Sequence, residues 1–238
     1  MSLRSNTRHT GDDGEPGGRV TALTRQRRDP ERINIFLDGG FAFGLGVEVV
    51  LREGLTVGED LDAAAVSRLR SLDESGKATS AALALLARRP RSEREVRDRL
   101  RQKGYGAPVI DDAIGRLEGW GYLDDAAFAR FWVENRVANK PRGERLMAQE
   151  LWQKGVARPV VQEAIAAAEI DESDAALSVA RAKLRSYRDL DPAVARRRLA
   201  AYLARRGFGY DIVRPVLDCV LGDDDQAANA NESCLSET

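Results

Sequence analysis

Three segments of this chain align at offsets of 51 and 52 residues, and that repeat limits the possible folds more than any other feature. Leu100-Arg101-Gln102-Lys103-Gly104-Tyr105 matches Leu151-Trp152-Gln153-Lys154-Gly155-Val156 and then Leu203-Ala204-Arg205-Arg206-Gly207-Phe208. Ile110, Val161 and Val213 lie ten residues after the aligned leucine, and Ile114, Ile165 and Leu217 fourteen after. Val96, Met147 and Leu199 lie four residues before it, one helical turn away. Self-similarity at this period marks a tandem helical array. Each unit reads as three helices, the middle one closed by a basic residue and a glycine. The glycine takes the left-handed conformation that ends a helix, and the basic residue faces the negative end of its dipole. Pro108 and Pro159 suit the first turn of the next helix. Units this short cannot bury their apolar faces alone, so they are predicted to stack into an elongated, curved array.

Ahead of the repeats lies a different pattern. Arg32 to Leu37 alternates polar and apolar residues, meets Asp38-Gly39-Gly40, and is followed by Phe41 to Leu45. Asp-Gly between two such runs signals a β-hairpin. Val47 to Arg52 and Asp62 to Leu72 read as helices joined by the connector Gly54 to Gly58. The fold class is therefore all-α, in tandem three-helix repeats, with a small N-terminal block containing a hairpin. Ala, Leu and Arg dominate the chain, which favours helix, and aromatics are only 6%. The divisions are a disordered arm at 1–28, the hairpin and helix block at 29–76, and repeats at 77–125, 126–172 and 173–221. A disordered acidic tail at 222–238 completes them. Both ends are too polar to offset the entropy of ordering.

The formal net charge of −1 hides an asymmetry. Between Lys77 and Val220 there are 27 Lys and Arg against 20 Asp and Glu, so the helical body is basic. His9, the single histidine, and Cys234 fall in the terminal arms, and Cys219 reads as a small buried hydrophobe on the last helix. These residues supply no disulfide framework, zinc site or nucleophilic triad. The longest apolar run, Ala81 to Ala87, is far short of a membrane span, and the first thirty residues contain no apolar signal region. The expectation is a soluble cytoplasmic monomer without cofactor or metal.

The repeat segments resemble those of the RecX family. Arg89-Pro90-Arg91-Ser92-Glu93, Leu100 to Tyr105, and Gly121-Tyr122-Leu123-Asp124-Asp125 with Phe128-Ala129 are similar to its first repeat. Gln149 to Val156 is similar to its second, and Arg205 to Asp211 with Ile212 to its third. The similarity runs over roughly residues 80–220, in the family's order and spacing. It implies a protein that docks along the groove of the RecA–DNA filament, restraining strand exchange, ATP turnover and co-protease function in the SOS response. It also implies weak, non-specific binding of single- or double-stranded DNA. The block at 32–72 is longer than the N-terminal stretch of compact members, and no function carries over to it.

Three motifs have competing readings. Asp124-Asp125 could hold a metal, but without nearby histidine or further carboxylates it reads as the N-cap of the helix containing Phe128. Trp120, Trp132 and Trp152 could stack on bases, but at helical spacing they read as packing residues. The glycines at 39, 40, 44 and 46 match no phosphate-binding pattern. The expected contact face for RecA or DNA is Arg91, Arg94, Arg97, Arg101, Lys103, Arg142, Lys154, Arg196, Arg197, Arg198, Arg205 and Arg206. Around Arg94 to Arg101 the acids Glu93, Glu95 and Asp98 offer ion pairs instead. Arg196 to Arg198 has no adjacent acids, which favours phosphate or an acidic protein surface. The rival is a helix-turn-helix DNA-binding regulator acting without RecA. Three stacked units in one chain argue against it, because such a factor needs one recognition helix and a dimer.

Overall fold

The computed structural model describes residues 17–233, with side chains to residue 222. By contacts they form two units, the first comprising 17–84 with 100–119 and the second 85–99 with 120–233.

In the first unit, β1 (Gly18–Arg25), β2 (Arg32–Leu37), β3 (Gly40–Gly46) and β4 (Asp60–Leu61) form an antiparallel sheet in the order β3-β2-β1-β4. The hairpin expected from Asp-Gly is present. Asp38 and Gly39 both have positive φ (49° and 83°), as the tight turn that suits strand twist requires. Helix α1 (Val47–Glu53) ends at Gly54 in the left-handed conformation. Val20, Ile35, Leu45, Val50, Val66 and Leu69 form the core beneath the sheet. The strand β1 corrects the expectation of a disordered arm at 1–28 for residues 18–25; residues 1–16 lie outside the described residues. Its own sequence buries little, but ladder bonds to β2 on one side and β4 on the other satisfy its backbone.

The helix expected at Asp62–Leu72 runs much further, as α2 (Ala63–Leu86). The division drawn between 76 and 77 therefore falls inside one continuous helix. Gly76 sits within it, and a mid-helix glycine costs only about 1 kcal/mol. Asp73 on α2 is buried and bonds Arg32 (3.1 and 3.2 Å), the Gly46 amide (2.7 Å) and Lys77 (2.7 Å). Burial pushes its pKa up, but the bonds from Arg32, Lys77 and Gly46 outweigh that and hold it below the ordinary carboxylate value.

The three-helix units follow. They are the end of α2 with α3 (Glu93–Gln102) and α4 (Ala107–Gly119); α5 (Asp125–Asn139), α6 (Glu144–Gln153) and α7 (Arg158–Ala167); and α8 (Glu172–Leu184), α9 (Pro192–Arg205) and α10 (Tyr210–Ser233). Gly104, Gly155 and Gly207 end the middle helices at φ of 92°, 88° and 90°, as the repeat predicts. All twelve aligned apolar positions, from Val96 to Leu217, are buried. Phe128, Met147, Leu151 and Val161 belong to one core, and Leu199, Leu203, Val213 and Leu217 to another. Each of the last two repeats thus encloses its own core. The backbone of α10 continues helically through 222–233, where composition predicts a disordered tail. Extending an anchored helix is far cheaper than nucleating one.

Candidate interaction surface

Within the second unit, middle helices meet end to end. Ser92 starts α3 with a capping box, its amide bonding Glu95 (3.4 Å) and its Oγ accepting from the Glu95 amide (3.3 Å). The same Oγ donates to the Lys154 carbonyl just past α6 (2.6 Å), and Lys154 Nζ returns to Glu95 (2.8 Å). Arg89 bonds Glu95 as well (3.1 and 3.2 Å). Burial pushes Glu95 up, yet Arg89 and Lys154 bring it down to about 2. The Glu93 amide donates to Asp125 (2.9 Å). Asp124 caps α5 as expected, accepting from the amides of Ala126 (2.7 Å) and Ala127 (3.0 Å).

This connection recurs one repeat later. The Gly143 amide donates to the Arg206 carbonyl (2.9 Å), and the Glu144 amide to Glu172 (2.6 Å). Here no side chain sits between the backbones. A Cβ on Gly143 would lie 2.2 Å from the Gly207 carbonyl oxygen.

The expected basic face divides. Lys154 is a connector, half-buried over the Trp132 ring (4.4 Å). Arg142 pairs with Glu150, which also receives Arg136 (2.9 Å) and the Trp132 indole N–H (2.9 Å). Burial, then Arg136 and Arg206, lower the Arg142 pKa. Arg206 bonds the Pro141 carbonyl (3.3 Å) and lies over Tyr202, and Arg91 bonds the Leu85 carbonyl (3.3 Å). Arg97 pairs with Glu93 and Arg94 with Asp98 (3.9 Å), the alternative raised for that helix. Arg196, for which the sequence shows no adjacent acid, pairs with Asp218 on α10. Lys103, Arg101, Arg197, Arg198 and Arg205 are exposed.

Arg94 recurs at repeat register as Arg145 and Arg197, and all three are exposed. Arg145 was missed, although the offset of 51 residues from Arg94 points to it. With Trp152, Arg205 and Tyr210, Arg145 lines a groove of about 740 Å³ between α6 and the end of α9. The packing expected of the tryptophans holds only for Trp132, because Trp120 and Trp152 are 56% and 40% exposed. Helical spacing fixes a face but does not tell whether the next repeat covers it. Cys219, expected buried, is exposed on α10.

These features define a tandem helical-repeat protein with a basic, aromatic-bearing surface. Family models agree: the RecX N-terminal domain matches residues 18–62, and the first, second and third RecX three-helix domains match 78–117, 124–165 and 170–217. The chain belongs to the RecX family. It is 32% identical over 202 residues to the regulatory protein RecX of Clostridium botulinum (strain Eklund 17B / Type B), covering 84% of this chain and 94% of that one. With the Bacillus subtilis (strain 168) regulatory protein RecX it shares 29% over 208 residues, 87% of this chain and 79% of the relative. A crystal structure of a regulatory protein RecX superposes with a TM-score of 0.70 at 23% identity, covering 84% of this chain and 98% of that one. RecX from Lactobacillus salivarius gives 0.55 at 21%, covering 62% and 96%. The match at 18–62 makes the hairpin block part of the family's architecture. Among the described residues no helix is long and apolar enough to cross a membrane.

Proposed function

We propose that this chain regulates a RecA recombinase by binding the RecA–DNA filament, mainly lowering its strand exchange, ATP turnover and co-protease activity. It acts in the cytoplasm as a monomer, by occupancy rather than by catalysis, and touches DNA weakly and without sequence preference. Its curated relatives are named regulatory proteins, which supports a non-enzymatic role. The observation that carries the reading is the exposed arginine repeated as Arg94, Arg145 and Arg197 on successive middle helices. A filament presents repeated subunits and phosphates, and arginines recurring at repeat register suit such a target.

Within the 196–198 cluster, Arg197 and Arg198 are the proposed contacts. Arg196 is engaged by Asp218, whereas Arg197 and Arg198 face outward. Cosedimentation with RecA–DNA filaments tests this. The R197E/R198E double variant is expected to bind about tenfold more weakly at moderate salt. Wild-type affinity in that variant, with its thermal unfolding unchanged, would remove α9 from the contact face.

A further inference from the structure

Repeat equivalence turns up an odd position on the middle helices. Where the first repeat carries Arg101, the second carries Trp152, and the indole is 40% exposed. Tyr210, at the start of α10, is 77% exposed and lines the same groove. Leaving two large aromatic rings in water forgoes the burial that drives other aromatics inward, such as Phe128 and Phe208 at 3% and 4%. Arg145 and Arg205 line the groove beside them. Among the described residues, no carboxylate lines it. Two other grooves of this unit differ: one holds Glu95, Asp98 and Glu150, and the other Asp218.

We infer that the groove between α6 and the end of α9 holds a short single-stranded nucleic-acid segment, its bases stacked on Trp152 and Tyr210 and its phosphates paired with Arg145 and Arg205. Accessible rings with cations and no competing acid are what unpaired bases on a phosphate backbone require. A duplex offers its phosphates to the arginines but keeps its base faces stacked inside, so it leaves the rings idle. An acidic peptide would satisfy the arginines and likewise make no use of two exposed π-faces. At about 740 Å³ the groove is of the size that small ligands occupy, roughly 300–1,000 Å³, which is room for a short segment. Arg158 lies over the Trp152 ring (5.2 Å), adding a further cation at its rim.

The inference rests on the nucleic-acid part of the proposed function, and it is tested with the full chain and without RecA. The probe is a labelled oligothymidylate of about 15 nucleotides, read by anisotropy at low and moderate salt. W152A and Y210A are each expected to weaken binding at least about fivefold, and W152F to restore most of it. R145E/R205E should weaken binding about tenfold or more at low salt and flatten its salt dependence. A duplex of equal length and oligoglutamate should compete poorly. All four side chains are on the surface, so unchanged thermal unfolding confirms that the variants fold. Wild-type affinity in W152A and Y210A would overturn the inference, and so would displacement by oligoglutamate, which would make the groove a site for acidic protein. Because RecA is absent, failure here leaves filament regulation intact. Conversely, loss of RecA inhibition would leave the groove's occupant untouched.

Discussion

The start of α3 meets the end of α6 through side chains, while the start of α6 meets the end of α9 through bare backbone. At the first junction Ser92, Glu95 and Lys154 bridge the helices, with Arg89 as a second cation. At the second, Gly143 and Gly207 stand where Ser92 and Gly155 stand, and Leu146 replaces Glu95. The helix dipoles run head to tail in both, so the positive start of one helix faces the negative end of the next. One geometry is thus held by charge at one place and by close approach at another. The first junction should respond to pH and salt, and the second to the volume of a single methyl group.

The largest expected effect comes from that methyl group. Gly143→Ala places a Cβ 2.2 Å from the Gly207 oxygen, backbone against backbone, and should cost about 3 kcal/mol in urea unfolding. Its φ of −66° is ordinary, so the cost is steric alone. The reciprocal exchange Ser92→Gly removes a cap and the Oγ bond to the Lys154 carbonyl, and together these should cost only about 1 kcal/mol. Equal losses in the two variants would erase the distinction between the junctions.

Next come the helix-ending glycines. Gly104→Ala meets nothing within 4 Å and pays only for its left-handed φ, about 1–2 kcal/mol. Gly207→Ala adds a contact at 2.4 Å with the Leu146 Cβ, so its melting temperature should fall further. Identical shifts would show that Gly207 is required for its conformation and not for the close approach.

Charge gives a comparable or smaller effect. Glu95→Gln should cost about 2 kcal/mol at neutral pH. The folded pKa of Glu95, about 2, lies below its ordinary 4.5, so its stabilisation is full above about 4.5 and is lost as pH falls toward 2. Wild type and E95Q should therefore converge in stability across that window. Asp125, raised by burial, titrates in the opposite sense, which is why the difference between the two proteins is the readout. At the second junction Glu144 is raised by burial and then by Glu172, so acidification relieves that contact while it weakens the Glu95 clasp. A gap between wild type and E95Q that stays constant down to pH 2 would contradict the clasp.

The same contrast explains what the sequence could disclose. The repeat register located the buried leucines at 100, 151 and 203 and the glycines that end each middle helix, because both follow from helix geometry within one unit. Asp124 was legible as a cap and Asp38-Gly39 as a turn for the same local reason. Partners supplied from another helix were not. Glu150 for Arg142, Asp218 for Arg196 and Glu95 for Lys154 lie 8, 22 and 59 residues away, and charge counting along the chain does not pair them. β1 was missed because its order comes from two neighbouring strands, and Trp152 because exposure depends on what the next repeat covers. Helices α2 and α10 run on through the divisions drawn at 76/77 and at 222, because a change of composition along the chain does not by itself end a helix.

The central claim, regulation through the RecA filament, is tested most directly by RecA ATPase on single-stranded DNA with the chain titrated in at sub-stoichiometric amounts. Inhibition well below one copy per RecA is predicted, because one bound array obstructs a filament of many subunits. ATP turnover unchanged at stoichiometric amounts, with filaments verified as present, would contradict the account and point to a DNA-binding regulator that acts without RecA.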